Sequence, residues 1–198
     1  MAALTAYFDA AGDEHSQVAL AIGGFISSAE RWREWEKPWR ERLAKDGLEV
    51  FHRNELGRMA AEKREQLEDD LCGILVQHAF AKSGVAVLHR DVQSALPESL
   101  RDEWRITSYA LCGINVAKEM MIWLSQWSGR MPDLVYEDGD VGKGKLITLL
   151  VKHGYPAPIF KLKKRSLNRK SGLTIEGASP LEAADLLAYR LFDRARAM

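Results

Sequence analysis

Leu4 to Phe8 is apolar or aromatic at nearly every position, and the run stops on charge at Asp9, with Gly12, Asp13, Glu14 and His15 close behind. Its shortness, its aromatic content and the glycine-centred turn predict a strand. A second apolar run, Val18 to Ile26, follows after a short link, so the two are expected to pair as an antiparallel hairpin. Asp9 then lies beside the centre of a sheet while Asp13 rides the turn. Asp9 has two readings: a hairpin residue bonding nearby amides, or a carboxylate held in place for chemistry.

Helical periodicity takes over at Ser27-Ser28-Ala29-Glu30, where either serine can cap the first amides and Glu30 favours the positive end of the dipole. Trp32, Trp35, Trp39 and Leu43 form one stripe, which reads as core or as an oligomer contact. Pro38 is expected to kink or split this helix. Gly47 to Leu56 crosses from an extended piece into a turn that carries His52 and Glu55. An amphipathic helix is expected over 60–82, with Leu67, Leu71, Ile74, Leu75 and His78 on its apolar face and Glu62, Arg64, Glu65, Glu68 and Asp69 towards solvent.

Gly84 to His89 has the pattern of a buried strand, ended by the histidine. The longest helix should start at Pro97 or Ser99 and reach about Gln126, apolar nearly all round its middle. Leu134 to Tyr136 is the next strand, Gly139 and Gly142 a flexible link, and Lys143 to His153 another helix. Pro156 to Leu162 resumes extended structure, and Thr174 to Glu176 forms a short strand. The closing helix is capped by Ser179 with Pro180 at its first position. This order predicts an α/β fold, a mixed sheet with an antiparallel start, later helical crossovers and helices on its faces.

The 198 residues suit a single domain over 1–198, and lysine plus arginine, 28, equals aspartate plus glutamate, 28. Net charge therefore carries no preference for nucleic acid or membrane, and any such preference must be local. One segment is locally basic: Lys161 to Gly172 has six cations in twelve residues, Lys161, Lys163, Lys164, Arg165, Arg169 and Lys170. It reads as a solvated loop or as a contact for substrate phosphates. Cys72 and Cys112 fall in helices without a CxxC pattern, as buried small residues of a cytosolic protein do. With no leader pattern and no run of transmembrane length, a cytoplasmic protein without a membrane partner is expected.

Acids at the ends of apolar elements recur. Asp133-Leu-Val-Tyr-Glu137-Asp138 repeats the strand ending in acids, and Pro180-Leu-Glu182-Ala-Ala-Asp185 places an acid inside an apolar helix. Such carboxylates need a cation or donors to compensate their desolvation, so Asp9, Glu137 or Asp138, and Asp185 are expected to converge if they hold a metal. Alternation along a strand lets one of Glu137 and Asp138 face the site, and Glu137 is favoured because Asp138 can serve the turn before Gly139. Asp185 has an ion-paired helix acid as its plainer reading.

These residues resemble the domain-of-unknown-function 3800 family, whose members begin with a strand ending in Asp-Glu-Ser-Gly-Asp and close with a helix bearing Leu-Gln-x-Ala-Asp-Leu-x-Ala. Here the first is Asp9-Ala10-Ala11-Gly12-Asp13 and the second Leu181-Glu182-Ala183-Ala184-Asp185-Leu186-Leu187-Ala188. Phe51-His52 with Glu55 resembles the family's Phe-His motif, and Val135-Tyr136-Glu137-Asp138 its strand-ending acidic motif. Ala10 and Ala11 stand where the family has glutamate and serine.

The resemblance implies a ribonuclease H-like fold whose first strand, a later strand and last helix hold divalent metals for phosphodiester cleavage. Mg²⁺ or Mn²⁺ suits oxygen ligands, and two ions about 4 Å apart can stabilise the attacking and leaving oxygens of an in-line displacement. The expected ligands are Asp9, Glu137, Asp138 and Asp185. His52 is placed as a proton carrier, Asp13, Glu55 and Glu182 as accessory acids, and Lys163, Lys164, Arg165, Arg169 and Lys170 as phosphate contacts. The expected function is a metal-dependent nuclease or related phosphodiesterase, with RNA, DNA or a small phosphate ester such as a free nucleotide left open as its substrate. The alternative is a nucleic-acid-binding or protein-interaction module that kept the fold and lost catalysis. A homodimer through the Trp32, Trp35 and Trp39 helix is expected if that stripe is exposed.

Overall fold

The computed structural model describes residues 3–12, 18–102, 104–126, 131–164, 166–167, 174–175 and 177–198. In chain order the hairpin strands β1 (Leu4–Gly12) and β2 (Ala19–Ser28) lead into helix α1 (Ala29–Ala44), a 3₁₀ turn (Arg53–Arg58) and helix α2 (Ala61–His78). Strand β3 (Ala81–Leu88), the short helices α3 (His89–Ala95) and α4 (Glu98–Arg101) and the long α5 (Trp104–Ser125) follow. Strand β4 (Asp133–Glu137), helix α6 (Lys143–Lys152), strands β5 (Ile159–Lys161), β6 (Ser166–Leu167) and β7 (Thr174–Ile175), and helix α7 (Pro180–Arg196) complete the chain.

Five strands form one sheet in the order β3-β2-β1-β4-β5, with β6 and β7 paired separately. The β1–β2 and β2–β3 pairs are antiparallel, whereas β1–β4 and β4–β5 are parallel, because helices α5 and α6 carry the chain between the later strands. The hairpin start and the helical crossovers agree with the sequence pattern. Strand β1 is central, so its side chains alternate between two covered faces. Ala6 and Phe8 join Leu134 and Tyr136 of β4 in the core beneath α5 and α6. Tyr7, Asp9 and Val135 take the opposite face, against α7.

On that second face the tryptophan stripe settles α1 and α2. Trp32, Trp35, Trp39 and Leu43 are buried with Phe51, Leu56, Leu67, Leu71, Leu75 and Leu186. Edge-on and tilted ring contacts link the tryptophans and Phe51 in series, adding geometric preference to area burial. The Trp32 indole donates to the Thr5 carbonyl at 3.2 Å, fixing α1 against β1. With its indoles spent on the core, the stripe offers no face to a second copy, and the expected homodimer contact through Trp32, Trp35 and Trp39 is corrected accordingly.

Several boundaries differ from the periodicity-based expectation for local reasons. Helix α1 is unsplit and contains Pro38. Ser28 caps it by accepting from the Arg31 amide at 3.3 Å. Helix α2 stops at His78 rather than Lys82, since Ala81 to Leu88 is needed to pair along β2, and Ser27 of β2 donates to the His78 carbonyl at 2.6 Å. The helix expected from Pro97 or Ser99 to about Gln126 is divided into α4 and the long α5, and the short α3 precedes both. Ser179 precedes α7 without capping it; its hydroxyl donates to Glu36 instead. Glu68 is not on a solvated face: it is buried and paired with Arg53 at 2.7 Å. Among the described residues no helix is long and apolar enough to cross a membrane.

The end of α1 is clasped to α2 by charge. Arg42 lies 2.6 Å from Asp46 and 2.7 Å from Asp70, and Lys63 reaches Asp46 at 2.8 Å. The bond from Lys63, then that from Arg42, holds the Asp46 carboxyl below its usual range. A depressed folded value stabilises the fold above the unfolded carboxyl value of about 3.9, and that stabilisation is lost as pH falls through the folded value. Asp46→Asn is therefore expected to lower the Tm at pH 7 by roughly 2–4 °C, the shift that about 1 kcal/mol makes in a chain of this size. The gap to wild type should shrink as the pH drops below about 4. Thermal melts at pH 7 and pH 3 check this, and a gap of the same size at both would deny the ionic origin.

Candidate functional site

Parallel pairing aligns β1 and β4 through Tyr7↔Val135 and Phe8↔Tyr136, so Asp9 and Glu137, one residue further along each strand, emerge side by side on the α7 face. Opposite Asp9 in the hairpin is Gly23, where a Cβ would come within 2.8 Å of the Ala188 amide nitrogen. The missing side chain lets α7 lie directly on β2 at this level, which brings Asp185, one turn earlier in α7, over the ends of the strands. Gly142, at φ 95°, begins α6 in the left-handed region beyond the β4 acids.

The three acids converge on one point, and Lys163 holds it. Its Nζ lies 2.7 Å from Asp9 Oδ2, 3.1 Å from Glu137 Oε2 and 3.1 Å from Asp185 Oδ2. Asp9, Asp185 and Lys163 are all buried, with 0%, 1% and 5% of their side chains exposed, so this is an interior charge cluster; Glu137, at 23%, opens it to solvent. The Asp9 Oδ1 accepts from the Ala10 amide at 2.7 Å. Burial pushes the Asp9 carboxyl well above its usual range, a rise opposed by Lys163 and aided by Glu137 and Asp185. Burial likewise raises Asp185, against the pull of Lys163, the Arg53 amide and His52. For Lys163, burial acts downwards but is outweighed by Asp9, Asp185 and Glu137, which hold the ammonium raised and charged.

The segment between α1 and the 3₁₀ turn is fastened to α7 at two places. The Phe51 amide donates to Glu182 Oε2 at 2.7 Å and the Arg53 amide to Asp185 Oδ2 at 3.2 Å. Between them His52, one-third exposed, brings Nδ1 to 3.6 Å from Asp185 Oδ2. Glu182 also accepts from the Trp39 indole at 3.0 Å and takes both ends of the Arg40 guanidinium. Burial pushes its carboxyl up, against these donors. Glu182 thus secures the His52 segment, with its oxygens taken by Trp39, Arg40 and Phe51 rather than by Lys163.

The remaining candidates are dispersed. Asp138 lies in the turn just past the end of β4 and pairs with Lys143 rather than with the cluster, which corrects its inclusion among the ligands. Glu55 is on the surface, 3.3 Å from Lys164. Lys163 is buried among carboxylates rather than displayed on a basic loop. Asp13, Arg165, Arg169 and Lys170 lie outside the described residues. Lys163 as the acids' partner, Arg40 as the partner of Glu182 and Arg53 as the tie between α2 and α7 are not signalled by the local sequence pattern. The one available hint is the position of Lys163 just past β5, next to the strand that carries Glu137.

Three hard oxygen donors from β1, β4 and α7 suit a cation of the Mg²⁺ or Mn²⁺ kind. As they stand, however, the carboxylates are arranged around an ammonium, and among the described residues no three acidic, histidine or cysteine side chains are grouped to hold a metal ion. The donor set fits the ion on condition that Lys163 gives way.

No family model matches the chain, and no curated protein matches it in sequence. Solved structures do match. Ribonuclease HII from Archaeoglobus fulgidus, seen in a complex with PCNA, superposes with a TM-score of 0.52 at 16% identity, over 97% of this chain and 74% of that one. Ribonuclease H2 from Pyrococcus horikoshii gives a TM-score of 0.52 at 15% identity, over 97% of this chain and 73% of that one. With helices on both faces of its mixed five-stranded sheet, the chain has the ribonuclease H-like α/β fold.

Proposed function

We propose that this chain, as one domain, is a divalent-metal-dependent phosphodiesterase of the nuclease type, with nucleic acid as its substrate. The observation that carries the reading is the meeting of Asp9, Glu137 and Asp185, distant in sequence, at one largely buried point. Clustered carboxylates repel one another and resist desolvation, an arrangement that a fold sustains for a cation rather than for stability. Ribonuclease HII and H2 as structural neighbours, and the four motifs resembling the domain-of-unknown-function 3800 family, support the same reading.

A bound Mg²⁺ or Mn²⁺ ion would polarise the phosphoryl oxygens and offset charge developing in the transition state. Asp9, Glu137 and Asp185 would hold it. His52 stands at the exposed rim beside Asp185, where an imidazole can take or deliver a proton at the substrate's edge. Lys164, half-exposed and paired with Glu55 on the surface, would present a cation to a phosphodiester backbone.

Incubation with labelled single-stranded RNA, duplex DNA and an RNA/DNA hybrid in Mn²⁺ tests the proposal: shortened products that disappear on chelation are expected with at least one substrate. A second reading, a binding module without turnover, draws on Ala10 in place of the family's acid and on the ammonium at the cluster's centre. Tight nucleic-acid binding with no cleavage under any divalent ion would establish it and sink the first.

A further inference from the structure

Asp9, Glu137 and Asp185 already have a cation. We propose that Lys163 is the built-in occupant of the cation site, and that a divalent ion enters by exchange with its ammonium. The inference rests on the metal-centre reading above and goes beyond it by naming what the ion must displace.

The geometry leaves little room for a shared occupancy. One nitrogen, 2.7–3.1 Å from oxygens of all three carboxylates, stands at the point they have in common. Asp9, Glu137 and Asp185 would hold a divalent ion with the same carboxylates that Lys163 occupies, and the two cations would repel if both were present. The lysine is not there by accident of a loose tail. Lys161 of β5 pairs beside Glu137, and the Leu162 carbonyl accepts from the Ala178 amide at 2.8 Å, so the backbone is anchored immediately before Lys163. The four-carbon stem above that anchor is flexible enough to withdraw while the backbone stays.

Charge favours the exchange. One ammonium leaves three carboxylates under-compensated, whereas a doubly charged ion in its place compensates them better. Without metal, Lys163 keeps the cluster tolerable inside the protein; with metal, it is surplus. Competition of this kind lowers the apparent affinity by the fraction of molecules whose site is free, so a lysine seated in nine molecules of ten weakens metal binding about tenfold.

Calorimetric titration of Mn²⁺ into wild type and Lys163→Met, with thermal melts of each, tests the exchange. The variant is expected to bind Mn²⁺ at least about tenfold more tightly, to melt lower than wild type without metal, and to regain the difference when Mn²⁺ is added. Equal or weaker binding by the variant overturns the exchange and leaves the metal centre standing. No Mn²⁺ binding by either protein overturns the metal centre itself. Should Lys163→Met not fold, reductive methylation of wild type read by mass spectrometry decides: labelling of Lys163 should rise several-fold in saturating Mg²⁺, and unchanged labelling refutes the exchange.

Discussion

Asp9→Asn is expected to reduce divalent-dependent cleavage by at least about 100-fold, since loss of a group that merely supports a metal ligand costs 10–100-fold and Asp9 would be a ligand itself. Asp185→Asn should do the same. The folded state should survive both changes. Burial drives each carboxyl up, so its charged form is held at a cost, and an amide of the same shape removes that cost. Lys163 keeps two of its three partners in either variant. A Tm within about 3 °C of wild type together with lost cleavage would tie the loss to the site rather than to unfolding. Full activity in both variants would remove these acids from the chemistry.

Glu182→Ala has the largest expected effect on stability. The carboxylate is inaccessible to solvent and serves four donors: the Trp39 indole, the two Arg40 nitrogens and the Phe51 amide. Removing the carboxylate leaves the buried Trp39 and Phe51 donors unpaired and deprives the partly buried Arg40 of its anion, which costs about 3–5 kcal/mol. For a chain of this length that corresponds to a Tm lower by roughly 10 °C. Activity should fall as well, because Glu182 is one of the two points fastening the His52 segment to α7. Glu182→Gln keeps an acceptor for Trp39 and Phe51 and should recover part of the stability. Thermal melts of the two variants against wild type decide it, and an alanine variant melting with wild type would show that the network is replaceable.

Both expectations come from a face of the sheet whose outline is legible in the amino-acid sequence. A run such as Leu4 to Phe8 ending in Asp9, its echo at Leu134 to Glu137, and an acid in the apolar closing helix are local patterns, and side-chain alternation says which residues share a face. The hairpin and the crossovers follow from the same periodicities, and the preference for Glu137 over Asp138 follows from the turn before Gly139, which can use Asp138. Boundaries are less legible. Whether α2 ends at His78 or Lys82 depends on how far β3 pairs with β2, and pairing is a property of two segments.

What periodicity does not supply is the identity of each buried group's distant partner. Tryptophans and a leucine at helical spacing announce an apolar stripe equally well for a core and for a dimer; only the placement of α2 and α7 over α1 makes it core. Lys163 sits in a stretch whose composition suggests a basic loop, yet the parallel pairing of β5 with β4 carries it into the acids. Glu182, one turn from Asp185 on a single helix, is drawn to Arg40 and Trp39 instead. The sequence by itself determined the elements and their inward faces, because those depend on neighbours a few residues away. The tertiary structure decided which charges meet, because that depends on contacts between segments over a hundred residues apart, where local pattern carries no information.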